Sequence, residues 1–137
     1  MLNGPIPSSW SGPLLSLLRV MTGLLLLQHG TAKMLGFPAM EMFANGVSGL
    51  TLVSGVLELV GGALIVVGFL TRPVAFLLSG FMAVAYFMAH APGGFMPILN
   101  GGELAILFSF VFIYIAAAGP GPWSIDAALR PAPVLAR

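Results

Sequence analysis

Seven of the eleven Lys, Arg, Asp, Glu and His side chains in this 137-residue sequence lie within or at the ends of long apolar runs. They are Arg19, His29, Lys33, Glu58, Arg72, His90 and Glu103. An ionisable side chain at mid-membrane costs at least ~2.5 kcal/mol on insertion scales, so a functional role is its default reading. Histidine side chains can pass protons. Two histidines with a carboxylate and a lysine can bind and protonate a small oxygenated head group.

Spacing groups these residues. Arg19, Thr22, Leu26, His29 and Lys33 recur at i, i+3, i+7, i+10 and i+14, which is one face of a helix. A polar stripe on a spanning helix turns to the bundle interior. Lys33 and Arg72 also suit snorkelling to headgroups. Glu58 sits mid-run beside Ser54, Gly55, Gly61 and Gly62, and small residues let another helix approach closely. Its carboxyl is open to three roles: a structural ion pair with Arg19 (His29 is within reach too), a proton-handling or ligand-binding acid, or a neutral hydrogen-bonded acid. Ser79, Ala83, Tyr86 and His90 share a third face, which brings His90 to the depth of His29.

The resulting expectation is a polar cluster near the outer face made of His29, Lys33, Tyr86, His90, Asn100 and Glu103. The candidate catalytic residues are His29, Lys33, Glu58, His90 and Glu103; Arg19, Tyr86 and Asn100 are candidate ligand-binding residues. Asn100 with Glu103 also reads as a helix-capping box, and the histidines also read as satisfied hydrogen-bonding groups. Only two imidazoles exist and no motif supports them, so no metal site is expected.

The elements that must position these groups are membrane helices. The sequence is 58% hydrophobic and only 7% charged, with a mean hydropathy of +1.05, which excludes a soluble globular or a disordered protein. A net charge of +1 without a basic patch excludes a nucleic-acid partner. Cysteine is absent, which removes disulfides, Fe–S clusters and thiol chemistry from this sequence. A span needs about 20 apolar residues, and four runs reach or approach that: Pro13 to Met34, Gly49 to Leu70, Pro73 to His90, and Gly102 to Ala118. Lipid offers backbone groups no partners, so these runs are helices.

The fold class is therefore all-α: a four-transmembrane-helix bundle with both termini on the same side. Arg19, Arg72, Arg130 and Arg137 would gather there, which makes that side cytoplasmic by the positive-inside rule. The N-terminus does not read as a cleavable signal, because no basic residue precedes Arg19. Residues 1–12 form a lead, residues 13–127 the membrane domain, and residues 128–137 a tail, with mobility expected from about Asp126. Residues 38–48 read as interfacial or re-entrant.

A fuller pattern emerges along the chain. Arg19 precedes His29-Gly30 and Lys33; Glu58-x-x-Gly61-Gly62 and Gly68-x-x-x-Arg72 follow. Next come Met82-x-x-Ala85-Tyr86, His90 and Asn100-Gly101-Gly102-Glu103, and Gly119-Pro120-Gly121-x-Trp123-Ser124-x-Asp126 closes it. Over about residues 14–127 this resembles the DoxX family of small bacterial four-helix membrane proteins. The resemblance implies a multi-pass protein of the bacterial inner membrane. It also implies an association with quinone-linked redox chemistry, hydroquinone and catechol resistance, and oxidative stress.

Three functions compete at this level. One is a quinone- or hydroquinone-binding redox or detoxification subunit, with quinone as the implied cofactor and electrons supplied by a bound cofactor or a partner. Another is a non-catalytic subunit that anchors a partner oxidoreductase. The third is a small proton-coupled carrier, which would require a homo-oligomer. The bilayer is the one partner that composition itself demands.

Overall fold

A computed structural model describes residues 5–130; residues 1–4 of the lead and 131–137 of the tail lie outside the described residues. Among the described residues every regular element is helical. A short turn at Ser8–Trp10 leads into α1, Ser11–Leu35. Then come α2, Gly49–Val67, and α3, Thr71–Ala85, which continues as a π-helical turn over Tyr86–His90. The last long helix, α4, is Glu103–Ala118. Three segments, Ser8–Leu35, Gly49–Val67 and Thr71–Gly93, are long and apolar enough to cross a membrane; α4 is apolar but has 16 residues.

Local chemistry sets these boundaries. α1 stops at Gly36 and α2 at Gly68, with φ of 67° and 69°. A residue with a Cβ rarely adopts that left-handed geometry, so glycine there ends a helix. Gly68 also meets Arg19 and Ser124 closely. Pro73 occupies the first turn of α3, where its missing N–H costs nothing.

The helices associate as two pairs, α1 with α2 and α3 with α4. Small residues bring the first pair together. A Cβ added to Gly62 would lie 2.9 Å from the Leu27 backbone, and one added to Gly30 would lie 2.5 Å from the Leu59 Cα. The pairs meet over a core of Leu26, Ile65, Ala75, Leu78, Phe112 and Ile115. The opposite helix faces expose large apolar side chains, among them Leu24, Val60, Phe76 and Phe110. Water would penalise that surface, and lipid does not.

The end where α1 begins is tied by hydrogen bonds. Arg19 is fully buried, and its guanidinium donates to the carbonyls of Ile65, Val66, Pro120 and Trp123. The first two are carbonyls of the last turn of α2; the others belong to the segment after α4. Arg72, which is exposed, donates to the carbonyls of Ala116 and Ala117 at the end of α4. Asp126, expected at the start of a mobile tail, sits instead in a helical turn, Ile125–Ala128. Its carboxylate accepts the Leu70 and Thr71 amides at 2.9 and 2.8 Å and so caps α3. The 38–48 segment holds one turn, Glu41–Phe43, whose hydrogen bonds are local.

Candidate functional site

A cavity of about 840 Å³ opens between the two helix pairs, at the end away from Arg19. Four of the expected site residues line it: His29 and Lys33 from α1, Glu58 from α2, and His90 from the π-helical turn. The remaining wall is largely apolar, with Phe81, Met82 and Phe108 on one side. Met40, Met42 and Phe43 of the 38–48 segment cover it. A roomy, mostly apolar cleft with a few convergent polar groups is the usual form of a small-molecule site.

The ion pair within it differs from the expectation. Glu58 binds Lys33, with Lys33 Nζ at 2.8 and 2.7 Å from the two carboxylate oxygens and 3.0 Å from Ser54 Oγ. The side chains of Lys33 and Glu58 are 14% and 8% exposed. The Arg19–Glu58 pair, one of the three roles open to Glu58, does not form, and the helix register explains why. Gly30 packs directly against the Glu58–Leu59 backbone. Arg19 lies eleven residues earlier, roughly 16 Å along the helix axis at about 1.5 Å per residue. Lys33 lies one turn beyond Gly30 on the other side, and its long side chain reaches back. Lys33 also lies over the Phe43 ring, 5.9 Å from its centroid, so the ion pair touches the covering segment.

His90 is held from behind. Its Nδ1 lies 3.1 Å from the Asn100 carbonyl oxygen. Its ring stacks on Tyr86, with centroids 6.4 Å apart and planes at 20°. Asn100 is fixed in turn: Nδ2 donates to the Gly94 carbonyl at 2.8 Å and to the Tyr86 hydroxyl at 3.4 Å, while Oδ1 accepts the Gly102 amide at 2.8 Å. Tyr86 and Asn100 thus support His90 from outside the cavity wall. A π-helical turn of this kind re-aims side chains and is frequent at functional sites.

The expected outer cluster therefore divides. His29, Lys33 and His90 face one cavity together with Glu58, which the sequence placed deeper. Glu103 is exposed and borders a separate shallow groove of about 400 Å³ with Pro97, Leu107 and Phe110. The capping box does not form. Gly101 turns left-handed at φ 70°, so Gly102 becomes the N-cap of α4 and Glu103 its first residue. Glu103 still suits the helix dipole there. Arg19, at the opposite end, spends its donors on backbone carbonyls.

Sequence reasoning missed the covering role of Met40, Met42 and Phe43, and the Lys33–Glu58 partnership. The glycines Gly30, Gly55 and Gly62 carried the signal for the second, because they set the register of α1 on α2.

Comparison with known proteins identifies relatives of this chain. The chain is 44% identical over 117 residues to a protein of Haemophilus influenzae, covering 82% of this chain and 87% of that one. It is 33% identical to the inner membrane protein YqjF of Escherichia coli, covering 82% and 88%. An uncharacterized membrane protein of Mycobacterium tuberculosis is 28% identical over 134 residues, covering 80% and 77%. No solved structure matches the chain. The family model named DoxX matches residues 14–91, a stretch that includes His29, Lys33, Glu58 and His90. This chain is a membrane protein and belongs to the DoxX family.

Proposed function

We propose that the chain is a multi-pass inner-membrane subunit that binds the head group of a quinone or hydroquinone in the cavity between its helix pairs. The observation that carries this reading is the convergence of His29, Lys33, Glu58 and His90 on one otherwise apolar cavity of about 840 Å³. Aromatic and methionine walls suit a flat ring, and the four polar groups suit its oxygens. His29 and His90 exchange protons with those oxygens, and Glu58 with Lys33 fixes the ring's position. Electrons pass between the ligand and a partner oxidoreductase, so the chain's contribution is binding and proton transfer in a redox or detoxification system.

In this reading the chain crosses the membrane four times. α4 lies along α3 and exposes Leu104, Leu107, Phe110 and Ile113, as a lipid-facing helix does. The α1 start and the segment after α4 meet at Gly12 and Pro122, which supports a shared side for both ends of the described chain. Arg72 and Arg130 favour the cytoplasm for it.

The test is extraction of quinones from the protein purified in detergent, followed by mass spectrometry. A quinone present in molar proportion, and lost in a His29→Ala/His90→Ala variant that still folds, is the expected result. Protein that carries no quinone and takes none up from micelles would refute the reading.

A further inference from the structure

The polar groups of the cavity differ in what they have left to offer a ligand. Lys33 has three N–H donors, and all three are engaged, by both Glu58 oxygens and by Ser54. The Ser54 hydroxyl proton goes to the Thr51 carbonyl at 2.8 Å. Glu58 is a carboxylate, which only accepts, and each oxygen takes a single N–H from Lys33. His90 is set by its neighbour: a carbonyl oxygen accepts only, so the Nδ1 facing Asn100 carries the proton. In the tautomer so fixed, Nε2 carries the lone pair, for which no protein partner exists among the described residues. Asn100 cannot relax this arrangement, because its side chain is bonded to Gly94, Tyr86 and Gly102. His29 and the Thr51 hydroxyl also line the cavity without hydrogen bonds to it, and can turn either way.

We infer that the cavity selects ligands that donate hydrogen bonds: an aromatic diol of the hydroquinone or catechol class binds in preference to its quinone, with His90 Nε2 as the selecting atom. This rests on the proposal that the cavity holds an aromatic head group. One ligand O–H donates to His90 Nε2 and another to a Glu58 oxygen. A quinone of the same shape brings carbonyl oxygens that only accept. Opposite His90 and Glu58 those oxygens lose their water partners and gain none, which weakens binding by about tenfold.

The experiment uses the full chain in detergent micelles under anaerobic conditions. Equilibrium binding is measured for durohydroquinone, duroquinone and the dimethyl ether of durohydroquinone, which share one ring and differ in donor capacity. Full ring substitution also slows reaction of the quinone with Lys33. The diol is expected to bind about tenfold more tightly than either of the others. His90→Phe is expected to bring the diol-to-quinone ratio to about one with quinone affinity within about twofold of wild type. His90→Gln, which keeps an acceptor, restores part of the preference and serves if the Phe variant does not fold.

A quinone or dimethyl ether that binds as tightly as the diol overturns the inference, and so does a preference unchanged in both variants. Absence of binding by all three probes refutes the head-group proposal itself, and with it this inference.

Discussion

Lys33 on α1 and Glu58 on α2 form a two-point ion pair, with Nζ within 2.8 Å of both carboxylate oxygens, on helices that glycines hold in close contact. The pair follows from the register that those glycines set, borders the cavity and underlies Phe43. Removing one member of a buried pair leaves an uncompensated charge and typically costs about 3–5 kcal/mol, whereas replacing both with apolar groups is often neutral.

That asymmetry gives the first prediction. Glu58→Ala lowers the melting temperature in detergent more than Glu58→Gln, which retains one acceptor for Lys33. The Lys33→Met/Glu58→Leu double variant melts close to wild type yet loses ligand binding. A double variant as unstable as the sum of its singles would show that the pair holds the helices through its own attraction.

The second prediction separates two kinds of glycine. Gly30→Ala forces a Cβ to 2.5 Å from the Leu59 Cα, so the α1–α2 contact must open and Glu58 must move with it. Gly80 faces open space, with nothing within 4 Å of an added Cβ. Gly80→Ala is therefore neutral or stabilising by up to about 1 kcal/mol, from the entropy of helical glycine. Thermal unfolding in detergent compares them; equal effects at both positions would contradict the packing described here.

How much of this was readable beforehand follows from what is local. Helix extents were legible because apolar runs with Gly36, Gly68 and Pro73 at their ends are local signals. Glu58 stood out because its helix turns small residues toward the same side. Its partner was not legible, since depth estimated along single helices ignores interhelical register, which Gly30 and Gly62 set jointly. Glu103 joined the cluster because it opens the last long helix on the side of the two histidines, near Lys33; one left-handed residue, Gly101, sets the helix start and turns Glu103 outward. Asp126 looked like tail because its partners, Leu70 and Thr71, lie more than fifty residues away.

Arg19 provides the third prediction. Its guanidinium serves four carbonyls from α2 and the segment after α4, with Nε donating to Pro120 at 2.8 Å. Lysine offers three donors from one atom and cannot reproduce that fork. Arg19→Lys should lower the melting temperature substantially while ligand affinity in folded protein stays at the wild-type level. Affinity that falls in step with stability would place Arg19 in communication with the cavity.

The fourth prediction concerns pH and Asp126, which lies outside the spanning helices. Partial burial works against its charge, but the amides of Thr71 and Leu70 and the nearby Arg130 outweigh that and hold its pKa below the ordinary 3.8. A carboxyl whose folded pKa is depressed contributes stability in full above its unfolded value and loses it as pH falls through the folded value. The contribution is therefore constant near neutrality and disappears in acid, below 3.8. Asn at this position can accept through one oxygen only, so Asp126→Asn is less stable than wild type at neutral pH. The difference in melting temperature between the two, followed from about pH 7 to about pH 3, cancels what the two proteins share. It should stay level and then shrink toward zero below 3.8. A gap already closing at pH above 5 would mean that the carboxylate is not stabilised by the α3 amides as described.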